Sequence, residues 1–262
     1  MGINIKKAFQ FIFSDSEWIQ KILIGGLFFF GAFLLDLALS LAIERVVLPQ
    51  LNIQLTDMSR SMLQTVVNSI VNIPILAFAM GYIIQSAHNE VKDEAPLLPN
   101  WDSGFFNYFK KGIVYYLINF GYYLFIFLIA LVIGLLVASA LAIFSPDFQV
   151  TNTVAGAIGG VLGLLFAIVA PFITLFYADN FNWKDAFKFR EILNAISKTF
   201  PYYFKSLLIT AGLWIAWLPI YFILTLTCIG AIIPQFLVLI VHLITVNLFA
   251  QTYKEYRQSV NA

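Results

Sequence analysis

Charged side chains are scarce in this chain of 262 residues. Only 11% of the residues are Asp, Glu, Lys or Arg, whereas 61% are hydrophobic and 17% are aromatic. A soluble domain carries about 25% charged residues, because polar groups must cover its surface. The composition therefore excludes an ordinary water-soluble domain and makes a lipid bilayer the expected partner. The net charge of +1, without a basic tail, excludes nucleic acid as a partner.

Cysteines and catalytic motifs are equally sparse. The single cysteine, Cys228, excludes an internal disulfide and any multi-cysteine metal site. The sequence contains no Gly-x-Ser-x-Gly, His-Glu-x-x-His or Walker motif. We therefore expect no catalytic residue, cofactor or metal, and no enzymatic activity. His88, Glu90, Asp93 and Glu94 carry ligand atoms close together, but they are interpreted as a solvated charge run.

Long apolar runs dominate what is present. A bilayer core about 30 Å thick needs about 20 apolar residues of helix. Six runs meet this length or nearly so: 22–43, 63–87, 113–144, 153–178, 206–227 and 231–250. The sequence predicts an all-α fold, a polytopic membrane helix bundle of about six transmembrane helices in one integral membrane domain. Pro219 and Pro234 leave open the alternative that the last two runs penetrate only half of the bilayer.

The basic residues predict the orientation of this bundle. With the N-terminus inside, thirteen of them fall on the cytoplasmic side: Lys6, Lys7, Lys21, Lys92, Lys110, Lys111, Lys184, Lys188, Arg190, Lys198, Lys205, Lys254 and Arg257. Only Arg45 and Arg60 fall outside. The positive-inside rule then predicts that both termini face the cytoplasm.

Aromatic and basic residues alternate in three cytoplasmic stretches, 7–11, 105–110 and 185–190. This composition is typical of helices that lie at the headgroup level. The stretches predict cytoplasmic-side interfacial helices and divide the domain into three units, 1–87, 88–178 and 179–262. Each unit would be an interfacial helix followed by a transmembrane hairpin. The alternative is that any interfacial helix has this composition and that no repeat exists.

Small residues recur on the third and fourth runs. Ala130, Gly134 and Ala138 are spaced by four residues, as are two glycine pairs, Gly156 with Gly160 and Gly159 with Gly163. Such patterns let helices approach closely in lipid, so we expect these two spans to pack on each other. The alternative is that the glycines line a passage or permit bending.

A few polar residues interrupt the spans, and ionisable groups inside a membrane are usually functional. Asp36 in the first span and His242 in the last would form a buried pair if those spans are neighbours. Asn68 and Asn72 share one face of the second span, just before Pro74, and Asn119 lies in the third. These five residues are candidates for a substrate or ion pathway. The alternative is a structural role, in which they only hydrogen-bond between helices.

Several short motifs carry a resemblance to a known family. They are Leu98-Pro99-Asn100-Trp101-Asp102 with the following aromatic run and Lys111-Gly112, Trp18 with Gly25-Gly26, and Phe249-Ala250-Gln251-Thr252-Tyr253. With these motifs the chain resembles a prokaryotic membrane-protein family that carries domain of unknown function 4013. The resemblance implies a multi-spanning protein of a prokaryotic cell (inner) membrane, and it supplies no activity, ligand or site residue.

Three features of the sequence bear on the function: buried polar groups, proline-interrupted spans and the lack of a large extramembrane domain. We expect a non-enzymatic membrane protein that moves or accommodates a small solute, ion or lipid. The alternative is a membrane scaffold or assembly protein that associates with itself or with protein partners.

Overall fold

The computed structural model describes residues 2–50, 56–102, 104–144, 148–227 and 232–261, and these residues contain α-helices and no strand. The helices are α1 (Ile5–Phe13), α2 (Trp18–Ala42), α3 (Leu48–Gln50), α4 (Asp57–Lys92), α5 (Phe105–Phe144), α6 (Phe148–Asn180), α7 (Phe189–Lys198), α8 (Phe200–Thr225) and α9 (Ile233–Asn261). A π-helical turn, Ile43–Val47, joins α2 to α3, and a 3₁₀ turn, Asp185–Phe187, precedes α7.

Six helical segments in the described residues are long and apolar enough to cross a membrane. They are Trp18–Gln50, Ser59–Lys92, Phe105–Val137, Gly156–Asn180, Phe200–Thr225 and Ile233–Val260. This confirms the predicted all-α bundle of six spans, and the chain is a multi-pass membrane protein. The 36 residues of α4 and the 40 of α5 extend about 54 and 60 Å at 1.5 Å per residue, so both exceed the apolar core of a bilayer.

The last hairpin consists of two full-length helices. α8 continues through Pro219, and α9 begins at Ile233, so Pro234 occupies its first turn. A proline is tolerated in the first turn because the N–H that it lacks would have no helical acceptor there. The alternative of two half-penetrating segments therefore fails. The predicted turn at 228–230 lies outside the described residues.

The three aromatic and basic stretches adopt different structures. The first forms the separate helix α1, and the third forms the 3₁₀ turn and the start of α7. The middle stretch instead forms the first turns of α5, which run on into the span without a break. Only the first and third of the predicted units thus have their own short helix. The threefold repeat stays a prediction.

A close helix contact lies between α4 and α5, at two glycines that the sequence analysis did not select as packing residues. A methyl group added at Gly81 would overlap the backbone carbonyl of Tyr108, and one at Gly112 would overlap that of Ala77. The two helices are antiparallel and touch backbone to backbone at both points. Glycine is required there because no larger residue leaves room for the facing chain.

The predicted contact between small residues of the third and fourth spans differs from the structure. Among the described residues, no atom outside the local helix backbone lies within 4 Å of a methyl group added at any of the five glycines concerned, Gly134, Gly156, Gly159, Gly160 and Gly163. Ala130 is half-buried, and the side chain of Ala138 lies outside what the structure describes. α5 and α6 instead meet through large side chains, with the ring of Phe166 against those of Tyr122 and Tyr123. Bulky rings hold the helices apart and leave the glycine faces without a neighbour.

Buried residues concentrate at the end of the bundle that carries α1, α7 and the last turns of α9, called here the terminal end. Trp101 is central to it: its indole donates to the Lys21 carbonyl and its ring stacks on Tyr82 at 4.2 Å. Gly25 lies against Trp101 and Leu239, which brings α2 next to α9. The opposite, distal end is less buried, since most described side chains in the distal halves of α5 and α8 are exposed.

Candidate functional site

The structure brings Asp36 of α2 and Asn72 of α4 together inside the bundle. The Asn72 amide Nδ2 donates to the Asp36 carboxylate Oδ1 at 2.5 Å. Asn72 exposes only 5% of its surface, whereas Asp36 is half-buried. α2 and α4 are antiparallel neighbours, and each residue projects from the face that meets the other helix. A carboxylate with a single neutral donor is poorly compensated in a membrane.

Buried oxygen atoms without a donor lie close to this pair along α4. The amide oxygens of Asn72 and Asn68 are both buried, and neither has a hydrogen-bond partner among the described residues. Asn68 lies one turn before Asn72 on the same face of α4. Pro74 lacks the N–H that would bond to the carbonyl of Ile70, so this backbone oxygen also loses its helical donor. The cluster therefore consists of one carboxylate and several other oxygen acceptors, and it has fewer hydrogen-bond donors than acceptors.

A second polar pair lies between the same two helices, nearer the distal end. The Gln64 amide donates to the Glu44 carboxylate at 3.1 Å, and Glu44 belongs to the π-helical turn that follows α2. Each partner is eight residues, or about 12 Å, from Asp36 or Asn72. Ser40 and Asn68 lie halfway between the two pairs on their helices. The α2–α4 interface thus carries a line of polar side chains from Glu44 to Asp36, called here the polar ladder.

His242 lies elsewhere and does not meet Asp36. Its ring stacks on Phe29 of α2 at 5.9 Å and meets Trp214 of α8 edge to face at 5.2 Å. Phe29 is seven residues before Asp36, or about 10 Å along the helix. The first and last spans are neighbours, as the predicted pair requires, but the histidine is held among aromatic rings nearer the terminal end. Geometry therefore separates two residues that the sequence suggested as a pair.

Asn119 is also outside the polar ladder. Its amide donates to the carbonyl of Tyr115 in its own helix, at 2.8 Å. This bond uses one N–H of the amide and lies within a single helix. Of the five candidate pathway residues, the structure thus brings together Asp36, Asn72 and Asn68, and leaves His242 and Asn119 apart.

A layer of buried charges at the terminal end was missed by the sequence analysis. Glu90, interpreted there as part of a solvated run, exposes 1% of its surface. Its carboxylate forms ion pairs with Lys7 of α1 at 2.6 Å and with Lys254 of α9 at 3.8 Å. It also accepts a hydrogen bond from the amide of Asn247 of α9 at 3.1 Å. The solvated-run interpretation is therefore wrong for this residue, because α1 and α9 cover it and supply its cations.

Asp179 forms the second centre of this layer. Its carboxylate lies 2.6 Å from Lys92 and 3.2 Å from Arg257, and it accepts from the Tyr253 hydroxyl. Two buried carboxylates, each held by cations from distant parts of the chain, join α1, α4, α6 and α9. No local pattern reveals such pairs, since Lys7 and Glu90 are 83 residues apart. The layer ties these four helices together through charge pairs.

Comparison with known proteins shows that the chain matches a protein family. The family described as "Protein of unknown function (DUF4013)" matches residues 66–233, well over half of the chain. The chain belongs to this family. The DUF4013 match begins within α4 and ends at the first residue of α9, so it includes Asn68 and Asn72 and leaves out Asp36 and His242. No curated protein and no solved structure matches the chain.

Proposed function

We propose that this protein binds a monovalent cation between α2 and α4 and moves it within the membrane, without catalysing a reaction. The observation that carries the proposal is the Asp36–Asn72 pair at 2.5 Å, beside two buried amide oxygens that lack donors. A site with one negative charge and several free oxygen acceptors needs a positive ligand. Oxygen ligands suit hard cations such as Na⁺.

The charge balance favours a monovalent ion. A divalent ion is usually held by two or more carboxylates, and the described residues contain no group of three His, Cys, Asp or Glu side chains placed to hold a metal. Asp36 alone neutralises one positive charge. The amide oxygens and the Ile70 carbonyl would replace the water that the ion loses on entering.

The polar ladder supplies an entry path to this site. Glu44 and Gln64 lie at its distal end, and Ser40 and Asn68 come next along the interface. A cation would move from a carboxylate through hydroxyl and amide groups to a second carboxylate, a distance of about 12 Å. With both termini in the cytoplasm, as the basic residues predict, this path opens toward the outside.

The test compares Asp36→Asn with Asp102→Asn, which removes an exposed carboxylate at the terminal end. The purified full-length protein is heated in detergent with NaCl or with choline chloride at equal ionic strength, and Na⁺ uptake is measured in proteoliposomes. Sodium should stabilise the wild type and the Asp102 variant, by about 2.7 kcal/mol at one hundred times the dissociation constant. Both this stabilisation and Na⁺ uptake should vanish in the Asp36 variant. Equal responses of all three proteins would contradict the proposal.

A second candidate function is that of a membrane scaffold. The observation that favours it is the set of five glycines on α5 and α6 that have no neighbouring side chain or helix within 4 Å in the described part of the chain. Faces of small residues let helices of different chains approach closely in lipid. Crosslinking in native membranes tests this role: a reproducible partner or a second copy bound through α5 and α6 supports it, and a chain recovered alone counts against it.

A further inference from the structure

An apolar cleft opens between α5 and α6, on the side of the bundle away from the polar ladder. Its volume is about 590 Å³, and its walls include Phe125 and Ile126 of α5 and Leu162, Leu165 and Val169 of α6. Ligand sites commonly have volumes of about 300–1,000 Å³. Both walls belong to membrane-spanning segments, so lipid is the solvent at its opening.

The lining offers nothing to a polar ligand. Tyr122 contributes the only hydroxyl group of the described lining, and it already donates to the carbonyl of Ala186 at 2.6 Å. All other lining side chains are hydrocarbon, apart from Gly121, which has none. An occupant must therefore be apolar, and a hydrocarbon chain from the surrounding bilayer has this chemistry.

The 3₁₀ turn before α7 and the first residues of α7 contribute to the lining of the cleft and carry basic residues. Phe187 stacks on Tyr122 at 5.2 Å, with the ring planes 4° apart, and Phe189 also lines the cleft. Lys188 and Arg190 alternate with these two rings. Lys188 already pairs with Asp185 at 3.1 Å and with Glu191 at 3.8 Å.

Arg190 differs from Lys188 in having no ion pair within the described part of the chain, and it is exposed. A guanidinium presents several N–H donors in one plane and binds phosphate oxygens in a bidentate manner. This part of the cleft therefore combines an apolar wall with a free arginine, which matches a phospholipid with a negative headgroup.

We propose that the cleft holds an acyl chain of an anionic phospholipid, whose phosphate group binds Arg190. The chain replaces bilayer contacts with contacts to α5 and α6, and the headgroup lies beside the Phe187–Arg190 segment. This lipid site is independent of the proposed cation site, because the two share no residue and lie on different helix pairs.

The experiment uses the full-length protein in vesicles that contain phosphatidylglycerol or phosphatidylcholine with the same diazirine-labelled acyl chain. After photolysis, the labelled peptides are identified by mass spectrometry. We expect labelling enriched in residues 121–126 and 162–173, and stronger with phosphatidylglycerol. Leu165→Trp, which fills the cleft, should reduce this labelling about tenfold, the factor that corresponds to about 1.4 kcal/mol.

Two control variants match these changes. Leu164→Trp adds the same ring to a neighbouring position of α6 that faces lipid with 64% of its surface exposed, and it should leave the labelling unchanged. Arg190→Gln should lower the preference for phosphatidylglycerol about fivefold, the effect of about 1 kcal/mol for one basic residue near an anionic surface. Lys198→Gln, at the other end of α7, should not.

Three results would overturn the proposal. The first is uniform labelling around the bundle, or an equal loss in the two tryptophan variants. The second is a preference for phosphatidylglycerol that Arg190→Gln leaves intact. The third is a crosslink to a second copy of the chain from a photoreactive amino acid placed at position 165, since the occupant would then be protein. Helical content and gel-filtration profile, measured for every variant, separate loss of lipid from loss of fold, and none of these readouts depends on cation binding.

Discussion

Glu90 exposes 1% of its surface and is the most deeply buried charged side chain in the described part of the chain. Its carboxylate neutralises Lys7 at 2.6 Å and lies 3.8 Å from Lys254, and it accepts from the Asn247 amide. Desolvation of a charge is costly, so such a group stabilises the fold only while its partners are in place. One residue thus joins the first, fourth and last helices of the described chain.

We predict that Glu90→Gln lowers the free energy of unfolding by about 1.5–3 kcal/mol, the size of a hydrogen bond to a charged group. The amide keeps the shape of the side chain but leaves the Lys7 ammonium group without its carboxylate, whereas Lys254 still pairs with Asp93. Thermal or denaturant unfolding in mild detergent measures the loss. Glu94→Gln is the matched control, because the Glu94 side chain is 58% exposed, and its stability should stay within about 0.5 kcal/mol of the wild type. Equal effects of the two variants would show that burial of Glu90 does not matter.

At the scale of elements, close backbone contact sets the distance between α4 and α5. Gly81 and Gly112 lie at the two points where each helix meets a carbonyl of the other, of Tyr108 and of Ala77. A backbone cannot move aside as a flexible side chain can, so a larger residue must separate the helices. The five glycines of α5 and α6 have no neighbour within 4 Å among the described residues, so a methyl group could be added there without moving another helix.

Gly81→Ala and Gly163→Ala should therefore have opposite effects. The first should destabilise the protein by more than about 1 kcal/mol, since overpacking in a close contact typically costs about 1–3 kcal/mol. The second should leave stability unchanged or raise it by up to about 1 kcal/mol, because alanine favours a helix more than glycine does. Melting temperatures of the two purified variants decide between these outcomes. Destabilisation by Gly163→Ala would contradict this prediction and show that its face is packed in the purified protein.

At the scale of the whole molecule, the orientation in the bilayer rests on the distribution of basic residues. Thirteen of fifteen lie in segments assigned to the cytoplasmic side, which the positive-inside rule favours strongly. The terminal end, with its buried charge layer, would then face the cytoplasm. The polar ladder would open to the outside.

Cysteine labelling tests this orientation. In a protein whose single cysteine, Cys228, is replaced by Ala, Ser259→Cys marks the terminal end and Ser61→Cys marks the distal end, and both positions are exposed. A membrane-impermeant maleimide should label the Ser61 variant in intact cells and the Ser259 variant only after permeabilisation. The reverse pattern would place both termini outside and would invert the proposed entry path.

The sequence by itself determined the six spans and their approximate limits. Each span depends on its own length and hydrophobicity, and a helix in lipid satisfies its backbone hydrogen bonds without help from the rest of the chain. Asp36, Asn68 and Asn72 could be selected in the same way, since a polar residue in an apolar run is visible locally. The glycine spacing of α5 and α6 was equally visible, but it did not predict a contact within the chain.

Only the tertiary structure decided which of these residues meet. Asp36 contacts Asn72 and not His242, because the tilt and level of α2, α4 and α9 set which side chains face one another. Glu90 is buried although its neighbours Asp93 and Glu94 are exposed, because Lys7 and Lys254 reach it from the two ends of the chain. In lipid, helices associate through shape and a few polar bonds, and both join residues too distant in the sequence for any local pattern to reveal them.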